Sequence, residues 1–411
     1  MTDYTDRIKS IKSSHGKYCG YELDYVLAAL DTEHPDFKKT SFVARFERAF
    51  AERFGKRYAI SCNSATSGLH AALAAAGVGP GDEVISPALN VIMSAYVTMH
   101  LGGVPVFADV DRHTHNIDPV DVARKVTPRT KAIIAVAWNG LPVDIDPLLK
   151  ISRENGIILI EDVAQDVLGR NAGRISGTIG DIGVWSFNYK KHISGGTEGG
   201  MICADDEALA TRIRKFAGIG YRTLGAMTGG TSLSKPEFQD PNFERFDSVG
   251  LNYRMSEISA AICLGQLERV DALVARRKEC GRLFREAVAG CSWIVPQAIP
   301  QGIEHSYYTI VMDYHGEARF DVPWKRFYNR YIELGGDGFY AELQCPYNEP
   351  SMRGRDFGYG PLRRGLCPVA ESLQPRLMKF KGNYRDLDIA RRKADILRRL
   401  VDEMDAGKLA A

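Results

Sequence analysis

No stretch of this sequence approaches the roughly 18 uninterrupted apolar residues that a membrane-spanning helix needs. The opening residues, MTDYTDRIKSIKSSHGKY, have no apolar run behind their basic groups, so they do not read as a secretory leader. The eight cysteines form no CxxC pair. That spacing argues against a structural zinc site and for reduced, mostly buried thiols. Charge of one sign is not in excess. The 53 Lys and Arg against 51 Asp and Glu leave a formal +2, which implies no nucleic-acid or membrane surface. Internal repeats and low-complexity tracts are missing too. No GxGxxG follows the first strand, which argues against a nucleotide-dependent reductase. These absences leave a soluble, cytoplasmic chain with no metal expected.

What is present is a long chain of 411 residues with 45% hydrophobic content, enough for one large domain and a smaller one. From residue 57 to about 205, short apolar runs alternate with helix-like stretches. RYAISC (57–62), EVISP (83–87), VPVFADV (104–110), KAIIAVAW (131–138), GIILIED (156–162) and IGVWSFN (182–188) read as strands. Between them, 64–77 is alanine-rich and closed by glycine, 90–101 reads as a helix, and the stretch ending at Gly156 is acidic early. Continuous apolar strands alternating with helices predict an α/β fold with a mostly parallel sheet covered on both faces. Ligands in such sheets collect at the carboxyl ends of the strands. Further helices are expected over 207–217 and, capped by Ser256, over 256–274. Residues 218–250 show no periodicity, which suits a functional or contact loop. The remainder mixes short strands and helices as an α+β unit.

Four groups of residues lie at or past predicted strand ends. Asn63-Ser64-Ala65-Thr66-Ser67-Gly68 precedes a helix, where free amides and small hydroxyls suit a phosphate, or simply cap the helix. Asp162 ends an apolar strand, with Gln165 three residues on; it can pair with a protonated ring nitrogen or cap a helix. Ser186 lies within VWSFN. Lys190 and Lys191 are followed by HISGGTEGG, a setting for a Schiff-base lysine or for a solvated basic loop. Together they supply the three parts that pyridoxal 5'-phosphate requires: a phosphate cradle, a carboxylate and a lysine.

From about 40 to 275 the sequence resembles the DegT/StrS-type sugar aminotransferases, members of the aspartate-aminotransferase-like fold type I. The resemblance rests on NSATSGLHAALAAAGVGPGDEVISP, GVPVFADVD, TPRTKAII, IEDVAQ, SGTIGDIGVWSF, KKHISGGTEGG and LNYRMSEISAAICLGQLERVD, in that order. It implies a large cofactor domain over 1–275 and a smaller α+β domain over 276–411. It also decides between the lysines. The family carries a serine-phenylalanine pair, three variable residues and then the Schiff-base lysine, which here falls on Lys191; Lys190 becomes a neighbouring charge. By the same resemblance, Asp162 keeps the pyridine nitrogen protonated and Gln165 contacts the ring or its hydroxyl. Ala65, Thr66 and Ser186 hold the phosphate. Asn252 reaches the cofactor of the neighbouring subunit, which implies a homodimer with shared active sites. Relatives that dehydrate deoxysugars have histidine in place of the lysine, so Lys191 favours transamination.

The expected reaction runs in two stages, with glutamate as amino donor and the keto group of a nucleotide-linked deoxysugar as acceptor. A keto-cyclitol, a small phosphorylated ketone, or a pyridoxal-phosphate dehydratase or lyase activity are the alternatives. Four departures from the family fall on the substrate side. Val91 stands where an aromatic residue usually covers the ring, the lysine loop is one residue longer, the 218–250 loop is longer, and the match beyond 275 is loose. Tyr221, Arg222 and Lys235 are further candidates for holding a substrate phosphate, and His305 for reaching the site, each against a plain structural role.

Overall fold

The computed structural model describes residues 17–31, 41–227 and 234–408. In chain order the large sheet takes β1 (Tyr58–Cys62), β2 (Glu83–Pro87), β3 (Val104–Ala108), β4 (Thr130–Val136) and β5 (Ile158–Asp162). The two-residue strands β6 (Arg170–Asn171) and β7 (Arg174–Ile175) stand apart as a hairpin, and β8 (Ile182–Ser186) and β9 (Gly200–Ala204) complete the set. The strand order is β1-β9-β8-β5-β4-β2-β3, seven strands in all. β9 runs antiparallel to both its neighbours; the other pairs are parallel.

Both faces of this sheet are covered, and the alternation of side chains shows how. Ile134, Val136, Ile160, Ile182, Val184 and Ile202 enter one buried cluster with Leu69 and Leu73 of the helix Ala65–Ala75. The intervening Ile133, Ala135 and Leu159 pack on the opposite side with Leu148 of the helix Ile145–Asn155. Trp185, Met201 and Cys203 meet Phe46, Phe50 and Phe54 of the helix Phe42–Phe54. A two-sided burial of this kind is why the strands read as unbroken apolar runs. Gly156 closes its helix with φ +64°, the left-handed conformation expected of a terminating glycine.

Beyond the helix Val270–Ala287 come β10 (Ile294–Pro296), β11 (Ile303–Glu304), β12 (Thr309–Tyr314), β13 (Tyr340–Ala341) and β14 (Leu377–Lys381). β10, β12, β14 and β13 form an antiparallel sheet in that order, while β11 pairs with β6 and joins the β6–β7 hairpin as a small third sheet. A separate buried cluster, drawn from Cys280 to Met404, lies under the second sheet.

The structure adds elements that the sequence reading lacks, among them the helices Glu22–Leu30, Phe42–Phe54 and Pro119–Lys125 and the β6–β7 hairpin, and departs from it in three further places. The predicted helix over 90–101 begins at Met93. The predicted helix over 256–274 is two, Glu257–Leu267 and Val270–Ala287, with Ser256 capping the first through Ser259 N–H at 3.1 Å. The strand β9 has no counterpart among the expected elements. The eight cysteines are unpaired and six are buried. Among the described residues, no helix is long and apolar enough to cross a membrane.

Candidate active site

The carboxyl ends of β1, β5 and β8 converge as the topology requires. At the first, Ser64 caps the helix Ala65–Ala75: its Oγ accepts from Ser67 N–H at 3.1 Å, and Ser67 Oγ returns to Ser64 N–H at 3.2 Å. The first two amides, of Ala65 and Thr66, have no helical acceptor and carry the positive end of the helix dipole. Ser186 is brought beside them through one glycine. It pairs with Gly200 across β8 and β9, and a Cβ on Gly200 would lie 2.6 Å from Ser64 C and 2.9 Å from Ala65 N. Only a residue without a side chain lets β9 pass that close. Ala65, Thr66 and Ser186 thus form one small polar cradle suited to a phosphate.

Asp162 ends β5, paired with Val136 of β4 and Val184 of β8. It is buried and accepts Ala164 N–H at 3.0 Å. Burial pushes its carboxyl up to about 6, while the Ala164 amide and the charge of Lys191 pull it back. Lys191 is half-buried five residues past β8, with Nζ 4.0 Å from the centroid of the Tyr308 ring. Burial pushes its ammonium down to about 8; Asp162 opposes this, and Arg277 and Lys379 add to it. Lys190 goes elsewhere, its Nζ lying 5.5 Å over the Tyr340 ring and 5.6 Å over that of Tyr189. Lys191 therefore has the electrostatic setting of a nucleophilic amine, and Lys190 that of a rim charge.

Lys191 opens onto a cleft of about 860 Å³ that also takes Val91 and Gln165. Gln165 spends its Oε1 on Asn139 N–H at 2.8 Å, holding a buried residue whose φ is +62°. Val91 is 38% exposed and presents a small aliphatic side chain to the cleft. Aromatic surface comes instead from Trp138, Tyr308, Tyr189 and Tyr340. Eight basic side chains line the cleft, and no Asp or Glu does. Such a surface favours an anionic ligand at long range.

Other expected residues lie apart from the cleft. Asn252 is exposed, next to Tyr253, whose carbonyl accepts Asn63 N–H at 2.8 Å. It therefore stands near the helix start with its side chain open to solvent. Arg222 pairs with Glu244 and Tyr221 packs on Phe246 within the same loop; the Lys235 side chain lies outside the described residues. His305 is buried, stacked at 4.0 Å on Tyr307, and its Nδ1 accepts Tyr307 N–H. Burial pushes it down to about 3, which suits a structural ring rather than a proton carrier.

The sequence reading did not include Trp138, Arg277, Tyr308 or Lys379. Trp138 Nε1–H donates to Glu342 at 3.1 Å, and Lys379 Nζ donates to the same carboxylate at 2.7 Å. Glu342 has a fully buried side chain. Glu342→Ala should leave Lys379 buried without its anion and cost on the order of 3–5 kcal/mol. Denaturant unfolding of the ligand-free protein reads this directly, and a loss below about 1 kcal/mol would show the network to be peripheral.

Comparison with known proteins agrees with this fold. The DegT/DnrJ/EryC1/StrS aminotransferase family profile matches residues 21–333. GDP-perosamine synthase of Caulobacter vibrioides is 41% identical over 271 residues, 66% of this chain and 68% of that protein. GDP-perosamine synthase of Escherichia coli O157:H7 is 31% identical over 291 residues, 71% of this chain and 74% of that protein. Among solved structures, an aminotransferase from Psychrobacter cryohalolentis superposes with a TM-score of 0.81 at 26% identity, covering 94% of this chain and 96% of that one. With the family profile covering residues 21–333 of its 411, this chain belongs to the DegT/DnrJ/EryC1/StrS aminotransferase family.

Proposed function

We propose that this aminotransferase holds pyridoxal 5'-phosphate at Lys191 and moves an amino group from glutamate onto the keto group of a nucleotide-linked deoxysugar. The observation that carries the reading is Lys191 lining a cleft rich in basic groups while feeling the charge of Asp162, buried at the end of β5 behind that cleft. The residues present fit the cofactor. The amides of Ala65 and Thr66 with the hydroxyl of Ser186 suit its phosphate, and Asp162 suits its ring nitrogen. When bound, the group supplies an electron sink next to the carbon that loses its proton. Asp162 would hold a proton on the ring nitrogen. Lys191 Nζ, as a neutral amine, would take the proton from the donor carbon and deliver it to the carbon two bonds away, across the intervening nitrogen. Gln165 and Asn139 fix the wall against which the ring would lie. The surplus of cationic side chains suits a diphosphate, and the product named in two relatives is GDP-linked.

The same reading includes a homodimer in which Asn252 completes the partner's site, a cytoplasmic setting, and a large domain ending near residue 275. Exposed Val249 and Phe238 on the loop before Asn252 support a contact there. The separate cluster from Cys280 onward supports the domain division. The test is incubation with glutamate, pyridoxal phosphate and a nucleotide-linked keto-deoxyhexose. Equal amounts of 2-oxoglutarate and aminated sugar nucleotide are expected by mass spectrometry. Loss of oxygen from the sugar without amination would assign a dehydratase. Amination confined to a keto-cyclitol or a small phosphorylated ketone would move the acceptor.

A further inference from the structure

One of the eight cations lining the cleft is buried and turned toward the main chain. Arg277, on the helix Val270–Ala287, is 6% exposed and has no carboxylate partner among the described residues. Its planar fork goes to three main-chain carbonyls instead. Nη1 donates to Tyr308 O at 3.1 Å, and Nη2 donates to Lys190 O at 2.8 Å and Lys191 O at 3.0 Å. Carbonyls satisfy the donors but do not cancel the charge. Burying a guanidinium this way is costly, since desolvation is not offset by an anion.

We propose that Arg277 is a positioning residue for Lys191. It clamps the lysine's own carbonyl and the one before it, so that Nζ is held over Tyr308 and toward Asp162. It also places an uncancelled positive charge where it biases that amine toward its neutral, nucleophilic form. Two further observations support the electrostatic half. Arg277 itself is pushed down to about 10 by burial; Lys191, Lys17 and His192 are pushed down first by burial, and the charge of Arg277 adds to it at each. The groups facing Lys191 from other elements divide: Asp162 and Glu198 draw its charge back, while Lys379 of β14 acts with Arg277. Tyr308 and Cys280 draw the charge of Arg277 back in turn. A guanidinium is suited to the clamp because its donors are fixed in one plane, whereas an ammonium presents a point charge.

This inference rests on Lys191 being the cofactor lysine, and the test separates the two. Capture of pyridoxal 5'-phosphate by ligand-free protein is followed by absorbance across pH, with borohydride trapping and peptide mass to locate the modified lysine. Three proteins are compared: wild type, Arg277→Met and Arg277→Lys. Arg277→Met should move the pH of half-maximal capture rate upward by roughly one unit, a tenfold loss of neutral amine at a given pH below it. Arg277→Lys should return the midpoint to near the wild-type value while the plateau rate stays about tenfold slow, because the fork is lost. If Arg277→Met does not fold, Arg277→Lys decides alone: a wild-type plateau rate overturns the clamp. A midpoint shared by all three proteins overturns the electrostatic role. A wild type that captures no pyridoxal phosphate at Lys191 overturns the cofactor reading and this inference with it.

Discussion

Alanine at position 191 should lower transamination by at least about a thousandfold, because one side chain both anchors the cofactor and carries the proton between two carbons. The protein itself should survive the change. Lys191 makes no ion pair within 4 Å among the described residues, and burial already disfavours its charged form. Removing a group whose folded pKa is depressed removes a destabilising term at neutral pH, so the ligand-free variant should melt no lower than wild type. Lys190→Ala is the matched control. Its ammonium sits over the rings of Tyr189 and Tyr340 at the rim, so its loss should act mainly on KM, by about tenfold or less. Turnover with glutamate and a keto sugar nucleotide, measured beside thermal unfolding, gives both numbers. Added small amines should restore part of the Lys191→Ala turnover by carrying the proton in its place. If Lys191→Ala retains turnover within tenfold of wild type, or if Lys190→Ala falls further than Lys191→Ala, the roles of the two lysines have been exchanged.

The residues that can be found in the sequence are those whose neighbours in the chain announce them. Asp162 comes one residue, Glu161, after four apolar residues and Ser186 ends the strand IGVWS, so a parallel sheet and the rule about strand ends locate both. Ala65 and Thr66 are announced by a capping serine ahead of an alanine-rich stretch. β9 went unannounced because it opens on Gly199-Gly200 directly after a glycine-rich loop, and those glycines mark close approach to Ser64 and Phe187, not a turn. The break between Leu267 and Val270 carries neither glycine nor proline; Arg269 alone leaves helical geometry there, at φ −127° and ψ 23°. Arg277, Tyr308 and Lys379 reach the lysine from elements far apart in the chain, and no local pattern links them. In EHSYYTI the histidine at 305 draws attention and nothing marks the tyrosine at 308. Only the fold turns the histidine inward onto Tyr307 and the tyrosine toward Lys191.

Asp162→Asn should separate function from stability in opposite directions. Asparagine keeps the shape and can still accept Ala164 N–H, but it cannot hold a proton on a ring nitrogen, and turnover should fall by about a hundredfold or more. Stability should rise. Wild-type Asp162 titrates at about 6 in the folded protein against 3.8 for an unperturbed carboxyl, because burial disfavours its anion. The folded state therefore binds more protons than the unfolded state between these values, and stability falls as pH rises through that window. Above it, the buried anion costs on the order of 3 kcal/mol, a net figure in which the attraction of Lys191 is already included. Asp166, pushed up to about 7 by burial, has the same sign, so the variant must be compared with wild type at each pH and not with itself. In ligand-free protein the two should unfold alike near pH 4 and diverge in favour of the variant by pH 7. A variant that is less stable at pH 7 would show that the carboxylate is retained for its pairing with Lys191 in the empty cleft. A variant with near-normal turnover would remove Asp162 from the chemistry altogether. The combination expected here, a more stable protein that has lost its reaction, is what a buried charge kept for catalysis leaves behind when it is neutralised.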